Sequence, residues 1–289
     1  MAFLDLPSSP LAPGRSPVRI HYRDAGGGAP DASPIVVLHG GWGYEIYPFD
    51  RQIDALGGEY RFVIPDRSGY GGSGRVEALP TDFHRRAMEE THAFIDVLGL
   101  DRPVLWGHSD GAIIALLFGL AWPDRIAGAI VEATHFYKVK PASRAFFDGV
   151  ISNPEALGGG VASVMARDHG DRWLALVEMH SRTWRLISEE AASPAEDFYG
   201  GQLGALRIPL LVVHGARDPR TEAGELDALR AALVSGDRSA AEFAIFEEGG
   251  HSPHSERATA DAVTRAAAGF LARISDPAVP ARPGHPGQS

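Results

Sequence analysis

A chain of 289 residues with this apolar content can hold one large α/β domain with an insertion, or two small domains. It contains no cysteine, which excludes disulfides, thiolate nucleophiles and cysteine-ligated zinc together. A formal net charge of −10 argues against nucleic acid or an anionic membrane as the main partner, since both require a cationic surface.

In chain order, the opening Met1–Pro7 lacks the basic flank and apolar core of a signal peptide, and no apolar run approaches a membrane span. A soluble, cytoplasmic protein is expected. Positive charge is almost all arginine, with lysine only at Lys138 and Lys140, a pattern of genome composition rather than of phosphate recognition. The Pro- and Ser-rich stretch Pro7–Pro17 and the tail Asp276–Ser289 are expected to be poorly ordered and to carry no chemistry. Between them, β-branched runs at Val18–Tyr22, Ile35–Leu38, Phe62–Ile64, Val104–Trp106, Ile126–Val131, Leu210–Val213 and Phe243–Phe246 read as strands. Apolar residues recur at three- and four-residue steps over about 50–57, 82–98, 111–121, 222–233 and 255–273, which predicts helices. Strand and helix therefore alternate, as in a mostly parallel sheet covered on both faces.

The rhythm breaks between about His135 and Leu206, where helical patches at Arg144–Val150 and Asp171–Ser188 replace strands and Gly158-Gly159-Gly160 reads as a loop. The expected organisation is a core formed by 1–134 and 207–275, a helical cap inserted at 135–206, and the tail 276–289.

In an open parallel sheet, reactive side chains gather at the carboxyl ends of the strands. Residues 107–111 read Gly-His-Ser-Asp-Gly between the run Pro103–Trp106 and the helical run Ala112–Phe118, placing Ser109 on a strand-to-helix turn. This is the G-x-S-x-G nucleophile elbow, whose glycines avoid collision with neighbouring backbone while the turn lifts a hydroxyl above the sheet. His39-Gly40-Gly41-Trp42-Gly43 follows an earlier strand, so Gly41 and Trp42 are candidates for one oxyanion donor. The N–H of Asp110 at the helix start is the candidate for the second. His214-Gly215-Ala216-Arg217-Asp218-Pro219 and Gly249-Gly250-His251-Ser252-Pro253-His254 follow the last two strands, giving the order Ser109, Asp218, His251. That order belongs to α/β-hydrolases rather than to chymotrypsin- or subtilisin-type enzymes.

Over about 18–273 the chain resembles the α/β-hydrolase superfamily, with H-G-G-W, D-R-S-G-Y-G-G-S, G-H-S-D-G, H-G-A-R-D-P and G-G-H-S-P-H in the family's order. Within it the chain looks most like the valacyclovir-hydrolase and small-carboxylesterase branch. The resemblance implies an α/β-hydrolase fold with Ser109 as nucleophile, His251 as general base then acid, and Asp218 as the group orienting the imidazole. The chemistry agrees: a free hydroxyl is a poor nucleophile, histidine takes its proton, and a carboxylate fixes the tautomer. Similar folds that act as haloalkane dehalogenases or epoxide hydrolases use a carboxylate where this chain has Ser109. Carbon–carbon bond hydrolases usually show G-N-S-M-G and a Trp soon after the His, whereas here Ser252-Pro253 follow.

Other roles compete for several of these residues. His254 is the nearest rival to His251, Glu132 is the rival acid because Val131-Glu132-Ala133 ends a strand, and Glu132 is otherwise a pocket-lining candidate. His39 and His108 are expected to brace turns, and Asp66–Gly74 lacks the lysine of a phosphate loop. Asp110 is expected as a helix first-turn acid, with a possible second role in attracting a substrate ammonium. Trp173, Trp184, Met179, Phe146 and Phe147 are candidates to roof an acyl site, and Arg172, Arg182 and Arg185 are expected in surface salt bridges rather than on a carboxylate. No metal set emerges from the histidine spacing and no cofactor is expected. The expected function is hydrolysis of a small-molecule ester by a monomer or homodimer. Lactone, amide or carbon–carbon hydrolysis, or a ligand receptor with slow turnover, are the alternatives.

Overall fold

The computed structural model describes residues 2–28, 32–234 and 241–275. Its described strands are β1 (Ala2–Leu6), β2 (Val18–Gly26), β3 (Ser33–Leu38), β4 (Tyr60–Pro65), β5 (Val104–His108), β6 (Gly128–Glu132), β7 (Leu210–Gly215) and β8 (Ala241–Phe246). They form one sheet in the order β1-β2-β4-β3-β5-β6-β7-β8. Only β2 breaks the parallel pattern, lying antiparallel to both β1 and β4. The helices are α1 (Asp50–Leu56), α2 (Phe83–Leu98), α3 (Asp110–Ala121), α4 (Pro141–Ser152), α5 (Gly158–His169), α6 (Trp173–Glu190), α7 (Glu225–Val234) and α8 (Ala260–Ser275).

Alternation along the strands divides the core in two. Val36, Leu38, Leu105, Val131 and Val212 pack on the face that carries α2 and α3. Ile35, Val37, Val104, Trp106, Ile130 and Val213 pack with Val263 and Phe270 of α8 on the other. With both faces covered, the central strands read as continuous apolar runs. Helix α3 is apolar all round, and Ala112 to Phe118 are buried without exception. No described helix is long and apolar enough to cross a membrane.

Chain direction from β3 leads to β4 on one side, and β5 then joins the other side of β3. The crevice between the carboxyl ends of β3 and β5 is thus the switch point where open α/β sheets place ligands. The loop after β3 and the turn after β5 meet there.

Several expectations are corrected. The middle of Pro7–Pro17 is packed, with Ser9, Leu11 and Ala12 buried and Ser9 Oγ donating to the Glu90 carboxylate, while Pro13–Pro17 are exposed. Its anchor is β1, an antiparallel edge strand that the short Ala2–Leu6 run does not announce. Gly158-Gly159-Gly160 opens α5 rather than forming a loop. Glycine costs about 1 kcal/mol per helical residue, and the Val161–Ala166 run that follows carries the helix across this weak start. Helices α7 and α8 begin later than the periodicity predicts, because Gly224 at φ +76° and the turns around Thr259 occupy their expected first residues. The tail Asp276–Ser289 lies outside the described residues.

Candidate active site

Between β5 and α3 the backbone reverses at Ser109, whose φ of 54° and ψ of −115° are rare for a residue with a side chain. Such a conformation costs about 1–3 kcal/mol and persists only where the surroundings impose it. Here the Ser109 N–H donates to the Glu132 carbonyl at 2.9 Å. The flanking glycines are required by contact: a Cβ on Gly107 would lie 2.2 Å from the Gly111 carbonyl oxygen, and one on Gly111 would lie 1.9 Å from that of Leu38. Because these obstacles are backbone, Gly111→Ala is expected to destabilise the protein by about 3 kcal/mol or more, measured by urea unfolding. A loss under about 0.5 kcal/mol, the usual size for an innocuous surface change, would contradict this packing.

Ser109 Oγ lies 3.2 Å from His251 Nε2, and His251 Nδ1 lies 2.9 Å from Asp218 Oδ2. The three residues come from the loops after β5, β7 and β8. The other oxygen of Asp218 accepts the Arg220 N–H at 2.8 Å. Burial pushes the Asp218 pKa up, but the hydrogen bond and charge of His251 and the Arg220 amide together hold it well below the usual carboxylate range. Asp218 is therefore ionised and aimed at the imidazole. The rival pair, Glu132 and His254, is bonded to itself: His254 Nδ1 lies 2.8 Å from Glu132 Oε1, and both side chains are fully buried.

A second imidazole also faces the serine. His135 Nε2 stands 3.5 Å from Ser109 Oγ, while its Nδ1 is 2.8 Å from Lys140 Nζ. Lys140 in turn donates to the Glu225 carboxylate. An ammonium offers only hydrogens, so Nδ1 accepts and the ring hydrogen sits on Nε2, toward the serine. Burial, reinforced by the Lys140 charge, lowers the His135 pKa far below the ordinary histidine value and keeps the ring neutral.

The loop after β3 is held from both sides. Arg67 donates to the carbonyls of His39 and Gly40 at 3.3 Å each, and His39 Nε2 accepts the Arg67 N–H at 3.1 Å. From α5, His169 Nε2 donates to the Trp42 carbonyl and its Nδ1 accepts the Gly71 N–H, each at 2.9 Å. Gly41 is compressed further still, since a Cβ there would sit 2.2 Å from the His180 ring. Asp110 is the first residue of α3, so its N–H has no intrahelical acceptor.

The carboxylate of Asp110 does not serve the substrate role anticipated for it. It accepts His180 Nε2 at 2.8 Å, His84 Nε2 at 3.0 Å and Trp184 Nε1 at 3.1 Å, with Arg67 at 3.9 Å, and the residue is 1% exposed. Burial alone would raise its pKa, but His180 and His84 reverse the effect and hold it well below the ordinary value. With its lone pairs so engaged, no room is left for an ammonium; the group ties α2 and α6 to the elbow. Asp110→Asn is expected to cost about 3 kcal/mol in denaturant unfolding at pH 7. Because the folded pKa is depressed, this stabilisation is present above the unfolded value of about 3.9 and lost as pH falls through the folded value. The gap between wild type and variant should accordingly narrow below about pH 4, and a gap independent of pH would contradict the ion pairing.

Two further lining candidates are corrected. Glu132 is bound to His254 and sealed from the cavity, and Trp173 packs against the core cluster rather than lining it. The fold also gathers His108, Glu132 and His254, a potential metal set whose distant sequence positions hid it; their ligating atoms lie within 4.8 Å of one another. Hydrogen bonds already engage these atoms: His254 Nε2 meets the Tyr47 carbonyl at 3.0 Å, and His108 Nε2 meets the His251 carbonyl at 2.9 Å. We read the set as a brace for the loop carrying His251.

Ser109 and His251 line a small cavity together with Gly41, Trp42, Tyr47, His108, His135, Phe147, His180, Trp184 and Arg220. Trp42, Phe147 and Trp184 are residues expected near the site, and α4 and α6 supply the last two. His135, His180 and Arg220 are not anticipated by the sequence, although signals exist. His135 follows the end of β6, His180 is one helical turn from Trp184, and Arg220 is two residues beyond Asp218. Arg182 and Arg185 make the expected surface pairs, with Glu178 at 2.6 Å and Asp148 at 3.1 Å.

Residues 35–266 match the model of the Alpha/beta hydrolase family, and the chain belongs to that family. Its sheet, flanking helices and elbow are those of the α/β-hydrolase fold. Among similar proteins is "Haloalkane dehalogenase 2" of Mycobacterium tuberculosis, 33% identical over 138 residues, which is 47% of this chain and 46% of that relative. The chain thus spans about half the length of such relatives. A 2-hydroxy-6-oxononadienedioate/2-hydroxy-6-oxononatrienedioate hydrolase of Klebsiella pneumoniae is 28% identical over 89% of this chain and 92% of its own length. Among solved structures, a thermophilic esterase from Thermogutta terrifontis superposes with a TM-score of 0.66 at 22% identity, covering 96% of this chain and 100% of that one. A 2-hydroxy-6-oxo-6-phenylhexa-2,4-dienoate hydrolase from Rhodococcus gives 0.71 at 18% identity, covering 94% and 99%.

Proposed function

We propose that this hydrolase cleaves small-molecule carboxylic esters through an acyl-enzyme on Ser109. The observation that carries the reading is the hydrogen-bond chain from Ser109 through His251 to Asp218, placed at the mouth of a cavity walled by Trp42, Phe147 and Trp184. Ser109 Oγ attacks the ester carbonyl while His251 Nε2 takes its proton. The tetrahedral oxyanion is held by the Asp110 N–H and by that of Gly41 or Trp42, one such donor being worth about 3–4 kcal/mol. The carbon–oxygen bond to the alcohol then breaks, and the departing oxygen takes the proton from His251. Water, deprotonated by the same imidazole, attacks the acyl carbon and releases the acid and Ser109. The Nε2–H of His135, whose ring stacks on that of His251, supplies a neutral donor toward Oγ, and the Lys140–Glu225 pair behind it fixes its tautomer.

Carbon–carbon bond hydrolysis on the same residues is the second reading, favoured by the length of the match to the Klebsiella relative. A panel of aryl, alkyl, lactone and aminoacyl esters, run beside a ring-fission dienoate, separates the two. Steady turnover of the simple esters supports esterase activity. Turnover of the dienoate alone, or one event per molecule followed by arrest, overturns it.

A further inference from the structure

One cation in the cavity, Arg220, has no carboxylate at salt-bridge distance among the described residues, although the charges of Asp218 and Asp110 act on it from further away. The guanidinium carbon of Arg220 lies 3.7 Å from the ring centre of Phe146, 5.2 Å from that of Phe147 and 6.0 Å from that of Trp42. Three aromatic rings thus lie within 6.0 Å of it. Among the described residues no carboxylate lies within 4.0 Å of it, whereas Arg23, Arg67, Arg144 and Arg185 all have such partners. Of the two acids nearest in sequence, Asp218 spends its two oxygens on His251 and on the Arg220 backbone amide, and Glu222 accepts the Ala142 N–H. The other titratable groups lining the cavity are Tyr47, His108, His135, His180 and His251, none of them an anion in its ordinary state.

A guanidinium partly withdrawn from water, as that of half-buried Arg220 is, gains most from a planar, bidentate acceptor. Surrounding it with aromatic rings rather than an acid leaves that requirement unmet within the protein. Ser109 and His251 line the same cavity as Arg220, so an anion bound there belongs to the molecule being attacked. We propose that Arg220 binds a carboxylate on the substrate, and that the preferred substrates are esters bearing a free carboxylate at a distance from the scissile bond, such as hemiesters of short dicarboxylic acids. This deepens the esterase reading and rests on it. The surface arginines of α6 take no part, because Glu178, Asp148 and Glu189 already occupy them.

The test compares two para-nitrophenyl esters of matched length on the wild-type protein. One is the hemiester of glutaric acid; the other ends in an isopropyl group in place of the carboxylate. The hemiester is expected to show a kcat/KM about 100-fold higher, in keeping with a charge-assisted bidentate contact in a desolvated site. In Arg220→Met the ratio should collapse toward one, and Arg220→Lys, which keeps the charge without the fork, should restore part of it. Equal kcat/KM for the two esters on the wild type overturns the proposal without any variant, so a misfolded variant cannot mask the answer. A separate arm needs no turnover: calorimetry on Ser109→Ala with the methyl esters of the same two acids. Tighter binding of the hemiester by about tenfold or more supports Arg220, and equal binding overturns it. Failure of hydrolysis with selective binding would count against the esterase reading and leave the carboxylate site standing.

Discussion

Ser109→Ala is expected to lower kcat on any ester the protein hydrolyses by up to roughly a millionfold, by analogy with other triads. Among the described residues lining the cavity, the other hydroxyl is that of Tyr47, which is held protonated, burial raising its pKa first among several influences. The fold should be unaffected, because Ser109 acts as an element junction through its backbone, whose N–H and carbonyl bonds to Glu132 and Ala112 survive the change. Removing Oγ frees only His251 Nε2 and His135 Nε2, both of which face the open cavity. The variant should therefore melt close to wild type. A rate within tenfold of wild type would mean that the reacting atom lies elsewhere.

Asp218→Asn is expected to lower kcat by about ten-thousandfold, the size seen when the corresponding aspartate of a serine protease is changed to asparagine. The amide keeps the shape but loses the charge that stabilises the imidazolium, and its NH₂ competes for the wrong tautomer of His251. The paired control is Glu132→Gln, since Glu132 ends β6 and is the other acid the sequence offers. Its carboxylate serves His254, not His251, so this change should act chiefly on stability. Reversed effects, with Glu132→Gln crippling turnover and Asp218→Asn sparing it, would reassign the acid. Steady-state kinetics read alongside urea unfolding for both variants separates the two losses.

The meeting of Ser109, His251 and Asp218 is legible because it rests on local signals. Glycine at 107 and 111 marks a turn that admits no Cβ, and the residues after each apolar run fall at one edge of a parallel sheet by topology alone. What was not legible depends on packing between distant segments. Asp110 looks like a helix first-turn acid, and only the arrival of His84 from α2 and of His180 and Trp184 from α6 shows that it is a buried junction. His108, Glu132 and His254 are similarly scattered along the chain and meet only once β5, β6 and the loop after β8 are in register. Arg220 escaped notice for the opposite reason. Its meaning lies in the acid it lacks, and no local pattern reports a missing neighbour. Of the inserted helices, α4 and α6 show in the sequence as helical patches while α5 does not, and the inner face of α6 is hidden, since Trp173 and Trp184 look alike in sequence while only Trp184 reaches the cavity.

Labelling with a fluorophosphonate tests most directly whether Ser109 is an activated nucleophile. The intact protein should gain the mass of one phosphonyl group, peptide mapping should place it on Ser109, and His251→Ala should slow the reaction by orders of magnitude. Labelling of a different residue, or no labelling of folded protein at concentrations that saturate other serine hydrolases, would contradict the mechanism at its root.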